Sequence, residues 1–338
     1  MIMEKKSVKI LSAKQISIQN PLVEEWMENP LGYSEDYVRA VDPDFKQFIS
    51  AGDARRMGKL LKRALATSLS ALQEGGIENP DAIITGTGFG SIENTELFLD
   101  ALVREGEQLL KPTQFMQSTH NTASSLIGIH TKCHGYNSTY SQKGFSFDSA
   151  LYDAWMQFSL GRIKSALVGS HDEMSPVFSG FMRKAEHVRE GEICSEAAVS
   201  VLLAENGDNA YCTLEGVKLL DTPSMDTLSR VLADMTAGGI DAIMTGRSGN
   251  TENDSWYGFL DSMLPGVPQL RYKQIFGVNF SSSATGFYAA ASCLRAGHVP
   301  SVLASDKKEI PCNKGILVVN VVEGRHYSIS ILRPVCGR

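Results

Sequence analysis

A layered α/β protein built from two pseudo-symmetric halves is the fold class that this sequence predicts, and two observations carry it. Strand-like apolar runs alternate with amphipathic, helix-like stretches along most of the chain. In addition, DAIITGTGFG at 81–90 is echoed by DAIMTGRSGN at 241–250. Each copy has Asp-Ala-Ile, an apolar residue, Thr-Gly and then a glycine-containing turn. A six-position match, five of it identical, is weak evidence alone. Placed at the same point of a repeated strand–helix order, they predict a duplicated unit. The turn signal Asn206-Gly207-Asp208 divides the chain into an N-terminal half, 1–206, and a C-terminal half, 207–338. Any site is expected between the halves.

The elements follow in order. Residues 7–18 read as a long strand. Residues 53–74 read as an amphipathic helix with Met57, Leu60, Leu61, Ala64, Leu65 and Leu72 on one stripe and Gly75-Gly76 as its stop. A buried strand at 81–87 precedes helices at 92–104 and 119–132. A strand at 136–141 is followed by a tight stretch and a helix with Phe147, Ala150, Leu151, Ala154, Trp155 and Phe158 at helical spacing, ending at Gly161. Strands at 165–170 and 197–205 complete the first half. The second half repeats the order: a strand at 211–220, a helix at 225–237, the echoed strand at 241, a helix at 281–296 and a final hairpin about Glu323-Gly324.

The 338 residues carry a net charge of −6 and no long basic run, so a nucleic-acid partner is not expected. No window is apolar enough to span a bilayer, and the first residues lack the continuous apolar core of a signal peptide. The six cysteines form no Cys-x-x-Cys pair and read as reduced thiols of a cytoplasmic protein. No cofactor is expected.

The strand–turn–helix at 136–155, YNSTYSQKGFSFDSALYDAW, is the kind of place where an activated nucleophile sits. A helix N-terminus has unpaired N–H groups and the positive end of a dipole, which stabilise a thiolate or an oxyanion. Yet the nearest cysteine in sequence is Cys133. Other candidates read more plainly. His130-x-x-Cys133-His134 has one-face helix spacing for a metal but no fourth ligand, so no metal site is expected. TGTGFGS at 85–91 lacks dinucleotide-fingerprint spacing and reads as a glycine-rich turn where helices pack closely. Asp172-Glu173, beside His171, read as structural carboxylates, and Ser281–Ser283 as a closely packed helix start. His120 is read as a helix cap or a residue facing the central cavity.

Several segments, in order, resemble the β-ketoacyl synthases of the thiolase superfamily. They are KPTQFMQSTHNTASSLIGIH (111–130), the strand–turn–helix–strand of 136–170, LVGSHDEMSP (167–176), GEICSEAAVSVLLAENG (191–207), GNTENDSWY (249–257) and KQIFGVNFSSSATGFYAA (273–290). The resemblance implies a thiolase-like, duplicated α-β-α-β-α fold. It also implies a cysteine at the helix N-terminus and two histidines that assist decarboxylation and stabilise the enolate. Matched position by position, the cysteine falls on Gly144, with Lys143 or Gln142 under a small shift. The first histidine falls on Gly246, with Arg247 or Thr245 beside it, and the second on Val278.

With these positions vacated, the resemblance narrows to chain-length-factor-like subunits of the kind found in aryl-polyene-type pathways. These lack the nucleophile and pair with an active ketosynthase acting on acyl carrier protein. The implied cavity or tunnel residues are Gln142, Phe145, Phe147, His120, Arg247 and Asn250. The implied dimer strand is Asn137, Ser138, Thr139, Tyr140 and Ser141. Two alternatives stay open. One is an active synthase or decarboxylase with non-standard residues. The other is a non-catalytic homodimer that binds acyl chains or carrier protein.

Overall fold

The computed structural model describes residues 7–305 and 307–335. Ten strands form one mixed sheet: β1 (Val8–Ile16), β2 (Ala82–Gly86), β3 (Tyr136–Tyr140), β4 (Ser165–Asp172), β5 (Ala197–Ala204), β6 (Cys212–Asp221), β7 (Ala242–Thr245), β8 (Gln269–Arg271), β9 (Ile316–Val322) and β10 (His326–Arg333). The spatial order is β8-β7-β9-β10-β6-β1-β5-β4-β2-β3.

Both five-strand sets therefore have the order 3-2-4-5-1. Their directions match as well. In each set the first and fourth strands run antiparallel to the fifth, and the second runs parallel to the third and fourth. The sets meet where β1 pairs antiparallel with β6 over Val8–Ile10.

Helices cover and separate the sheet. α1 (Lys59–Gly75) and α3 (Thr122–Thr131) pack Leu65, Leu72 and Ile127 on the outer face of the first set, against Ile83, Leu167 and Leu202. α6 (Met225–Met235) packs Leu228 and Leu232 on the outer face of the second, against Leu317 and Ile329. Between the sets lie α4 (Ser146–Ser159) and α7 (Ser282–Ala296), which touch at the Phe147–Phe287 ring edge. β4 and β5 are buried on both faces, which explains why neither alternates apolar and polar residues along its length. The layering is α-β-α-β-α. α2 (Ile92–Glu105) follows the turn after β2 and α5 (Pro176–Lys184) follows β4; Phe178 of α5 and Phe280, just before α7, both pack on Phe89 of that turn.

Three expected elements shift. The helix expected over 53–74 starts at Lys59; Ala51–Ala54 is one separate turn. The chain breaks there because Gly58 N–H donates to Gln117 Oε1 and Leu60 N–H to Glu173 Oε1, satisfying helix-start donors from outside the helix. The helix expected over 119–132 is two pieces, Pro112–Ser118 and α3, separated at Thr119–Asn121. The helix expected to run to 237 ends at Met235. Among the described residues no helix is long and apolar enough to cross a membrane.

Candidate functional site

α4 begins directly after β3, and Ser146 locks the junction. Its Oγ accepts from Gln142 N–H at 2.8 Å and lies 3.0 Å from the Thr87 carbonyl and 2.7 Å from the Lys143 carbonyl. In the tight stretch before α4 the positive φ, 51°, lies at Lys143 and not at Gly144. A Cβ on Gly144 would meet only Val322, at ordinary contact distance. Gly144 is therefore not required by the turn. Its carbonyl accepts from Asn320 Nδ2 at 3.2 Å, and the same amide donates to Asp148 Oδ2 at 2.8 Å. Asn320 comes from β9, so the turn of one half is held by a strand of the other. Asp148 is buried beneath it. Burial pushes its carboxyl up to about 6, against the opposing hydrogen bonds of Ser328 and Asn320.

A cavity of about 440 Å3 opens over this turn, at the C-terminal ends of the parallel strands, where α/β sheets place ligands. Gly144 and Val278 both line it. Val278 is fixed by its N–H to Ile193 O at 2.8 Å and by Ser195 N–H to its carbonyl at 3.0 Å. Lys143, Lys273, Ser283 and Asn320 also line the cavity. A larger depression, about 770 Å3, is open and lies at the other end of the same strands, against Asp81 and Tyr136. The smaller cavity is the one that the chemistry of the fold points to.

The remaining candidates are dispersed. Gly246 sits beneath Tyr257, whose hydroxyl accepts from Val321 N–H; a Cβ there would collide with that hydroxyl. Arg247 turns away to Asp261 at 2.8 Å and to the Tyr257 carbonyl. Asn250 caps the short helix Thr251–Ser255 and accepts from Arg189, a residue of the cavity wall. Phe147 is fully buried in the central core, and Phe145 is half-buried against His326. Gln142 is exposed, with its Oε1 accepting from Ser149 Oγ. His120 is exposed in the link between Thr119 and Asn121 and does not line the cavity.

The glycine-rich turn after β2 has a more specific role than close packing. It is a nest of N–H groups filled by the chain's own carboxylate. Asp172 accepts from Gly88, Phe89 and Gly90 N–H and from the Thr87 and Ser281 hydroxyls, all between 2.8 and 3.1 Å. Glu173 accepts from Leu60 N–H at 2.7 Å and Glu93 N–H at 3.3 Å, at the starts of α1 and α2. Burial raises its carboxyl to about 7. Buried His171 is kept neutral, its pKa lowered to about 3 by desolvation. These groups are structural, as the sequence led one to expect.

Lys273, Ser283, Asn320 and Asp148 were not identified from sequence. Asp148 and Asn320 carry a usable signal: each is a polar residue on the buried face of an otherwise apolar element. None of the cavity-lining residues is a cysteine. Burial pushes the thiols of Cys194 and Cys312 up to about 12 and raises those of Cys212 and Cys293 as well. Cys336 lies outside the described residues.

Three solved structures share the whole fold. The ishigamide ketosynthase/chain length factor superposes with a TM-score of 0.80 at 15% identity, over 98% of this chain and 100% of that one. A type II polyketide-synthase acyl-carrier protein in complex with its ketosynthase bound to the hexaketide, AntDE:AntF, gives 0.79 at 15%, over 98% and 100%. A β-ketoacyl synthase from Burkholderia phymatum STM815 gives 0.77 at 16%, over 98% and 100%. At these identities the likeness establishes the fold. No curated protein sequence matches the chain. The sequence model of the β-ketoacyl synthase N-terminal domain, however, matches residues 23–249, about two thirds of the length. With that match and a twice-repeated 3-2-4-5-1 sheet around two central helices, the chain belongs to the β-ketoacyl synthase family.

Proposed function

We propose that this protein is a non-catalytic ketosynthase-fold subunit. It pairs with an active β-ketoacyl-acyl-carrier-protein synthase in the cytoplasm and helps set the length of an elongating fatty-acid or polyketide chain, of aryl-polyene type. The observation that carries the reading is the cavity over the β3–α4 turn. It holds Gly144 and Val278 at two of the positions matched to the missing catalytic side chains, and no thiol lines it. The third matched position, Gly246, is packed beneath Tyr257. A synthase with a relocated nucleophile needs a thiolate. Burial raises the thiols of Cys194, Cys212, Cys293 and Cys312, and Cys133 lines the depression at the opposite end of the strands, with its Sγ hydrogen-bonded to the Pro80 carbonyl. In this reading 1–206 and 207–338 are the duplicated units, and Gln142, Phe145 and the Asn250–Arg189 contact border the acyl path.

Partner pairing is assigned to β3, residues 137–141. It is an edge strand with β2 as its one neighbour. Tyr136 N–H and the Tyr140 carbonyl face the β2 side. By the two-residue period of a strand, Asn137 and Thr139 turn their backbone groups to the open side. The helix packed on this strand, α3, exposes Ile129; the segment 112–118 packed on α3 exposes Phe115 and Met116, and α2 packed on that segment exposes Val103. That combination is what a second subunit covers.

Native mass spectrometry of this chain mixed with a ketosynthase encoded beside it, together with a condensation assay, tests the proposal. A one-to-one complex is expected, with acyl-carrier thioesters condensed only when both chains are present. Thr139→Pro blocks an outward backbone donor and is expected to abolish the complex while leaving the monomer folded. A lone-chain homodimer that condenses substrate would overturn the reading. A homodimer that purifies with bound acyl chains and no ketosynthase partner would favour the binding-protein alternative.

A further inference from the structure

We propose that the open depression at the N-terminal ends of β2, β3 and β4 binds an oligophosphate group, free or carried by a nucleotide, between two pairs of basic side chains. Lys132 and His134 stand on the link from α3 to β3, and Arg162 and Lys164 on the link from α4 to β4. All four are exposed and line the depression, whose volume is about 770 Å3. Among the described residues none of these four side chains makes a hydrogen bond or an ion pair. Other exposed arginines do find carboxylates: Arg104 meets Asp100 at 2.6 Å, and Arg325 meets Asp221 at 2.9 Å. In a chain of net charge −6, three unmatched cations and a histidine in one depression make a local field of the opposite sign.

The acid of the wall, Asp81, is already engaged. Its Oδ2 accepts from Lys164 and Ser165 N–H at 2.8 and 3.0 Å and from Ser165 Oγ at 3.2 Å. Asp153 accepts from Tyr136 Oη and Gln157 Nε2 of the wall, both at 2.9 Å. The backbone that carries the cations is fixed. Cys133 N–H donates to the Gly128 carbonyl, Tyr136 N–H to the Asp81 carbonyl and Arg162 N–H to the Gln157 carbonyl, each at 3.0 Å. A Cβ on Gly135 would collide with the Asp81 carbonyl, so the glycine lets the α3–β3 link lie against the start of β2. Because β2 lies between β3 and β4, the two links enter the sheet two strand spacings apart, about 10 Å. A single phosphate meets one basic pair. A chain of two or three phosphates reaches both and brings the charge that three cations match. The depression is at the opposite end of the strands from the cavity over the β3–α4 turn, so this inference goes beyond the accessory-subunit reading and does not depend on it.

The experiment uses the full chain, with tripolyphosphate, orthophosphate and ATP as probes in titration calorimetry at low ionic strength. Tripolyphosphate is expected to bind, and orthophosphate to bind ~10-fold more weakly or not at all. The double variants Arg162→Gln/Lys164→Gln and Lys132→Gln/His134→Gln are each expected to weaken tripolyphosphate ~10-fold or more. Arg55→Gln/Arg56→Gln removes exposed charge ahead of α1 and is expected to change the affinity less than about twofold. ATP binding as tightly as tripolyphosphate assigns the site to the phosphate chain alone, and tighter ATP binding assigns it to a nucleotide; either sustains the proposal. An equal loss in all three double variants would reduce the effect to overall charge and overturn it. So would the absence of tripolyphosphate binding by wild type. If a depression variant does not fold, acylation of wild-type lysines by acetic anhydride decides. Tripolyphosphate should protect Lys132 and Lys164 in the peptide mass map and leave exposed Lys184 reactive, and unprotected Lys132 and Lys164 would overturn the assignment.

Discussion

The turns after β2 and β7 follow matching segments, Asp-Ala-Ile-(Ile/Met)-Thr-Gly, and fill their backbone donors differently. After β2, the nest of Gly88, Phe89 and Gly90 N–H is occupied by Asp172, which arrives from the end of β4 and is fully buried. After β7, Ser248 and Gly249 N–H donate to Asp254, six and five residues on and half-exposed. The upstream halves of the two motifs do the same work. Asp81 Oδ2 accepts from Lys164 and Ser165 N–H at the start of β4, and Asp241 Oδ2 accepts from Lys314 and Gly315 N–H at the start of β9. Each aspartate thus ties the second strand of its set to the fourth. Thr85 and Thr245 each bond toward the third strand of their own set. Gly86 and Gly246 each admit a close neighbour, the Ser146–Phe147 backbone in one half and the Tyr257 hydroxyl in the other. The repeat kept the joints of the fold, while the loops beyond them diverged.

Removing the buried carboxylate should break the comparison most strongly. Asp172→Ala strands five donors and is expected to cost roughly 3–5 kcal/mol by urea unfolding, whereas Asp254→Ala costs about 1 kcal/mol. Comparable losses would mean that the two nests carry similar weight. The glycines come next. Gly86→Ala drives a methyl into helix backbone and should cost about 3 kcal/mol. Gly246→Ala meets a side-chain hydroxyl and should cost about 1–2 kcal/mol, with its hydrogen bond to Val321 disturbed.

Protonation at the floor of the cavity sharpens the contrast between buried and exposed carboxylates. Asp148 titrates at about 6 in the fold and near 4 when unfolded, so the native state binds more protons between those values. Its contribution to stability therefore falls as pH rises from about 4 to about 6 and stays unfavourable above that. Asp148→Asn should be up to about 3 kcal/mol more stable than wild type at pH 7.5, with the advantage vanishing near pH 4. An advantage independent of pH would refute the assignment. The smallest effects test the shared joint. Asp81→Ala and Asp241→Ala should each cost about 1–2 kcal/mol and agree with one another within about 0.5 kcal/mol.

The alternating pattern and the DAI(I/M)TG echo were enough to predict a duplicated α/β fold, because period and burial are written locally in strands and helices. Motif order was enough to point to the family, and the residue types at 142–144 to question the nucleophile. The sequence did not disclose that the tight stretch before α4 places its positive φ on Lys143, a residue with a side chain, although Gly144 stands next to it. It did not disclose that the glycine-rich loop encloses Asp172, because the partner lies more than eighty residues away. The cavity's composition was equally hidden. Gly144, Val278, Lys273, Ser283 and Asn320 come from separate elements of both halves, and only the folding of the two strand sets around α4 and α7 brings them to one wall. The same folding dispersed Gly246, Arg247, His120 and Phe147, because side-chain direction there is set by Tyr257, Asp261, the Thr119–Asn121 link and the central core.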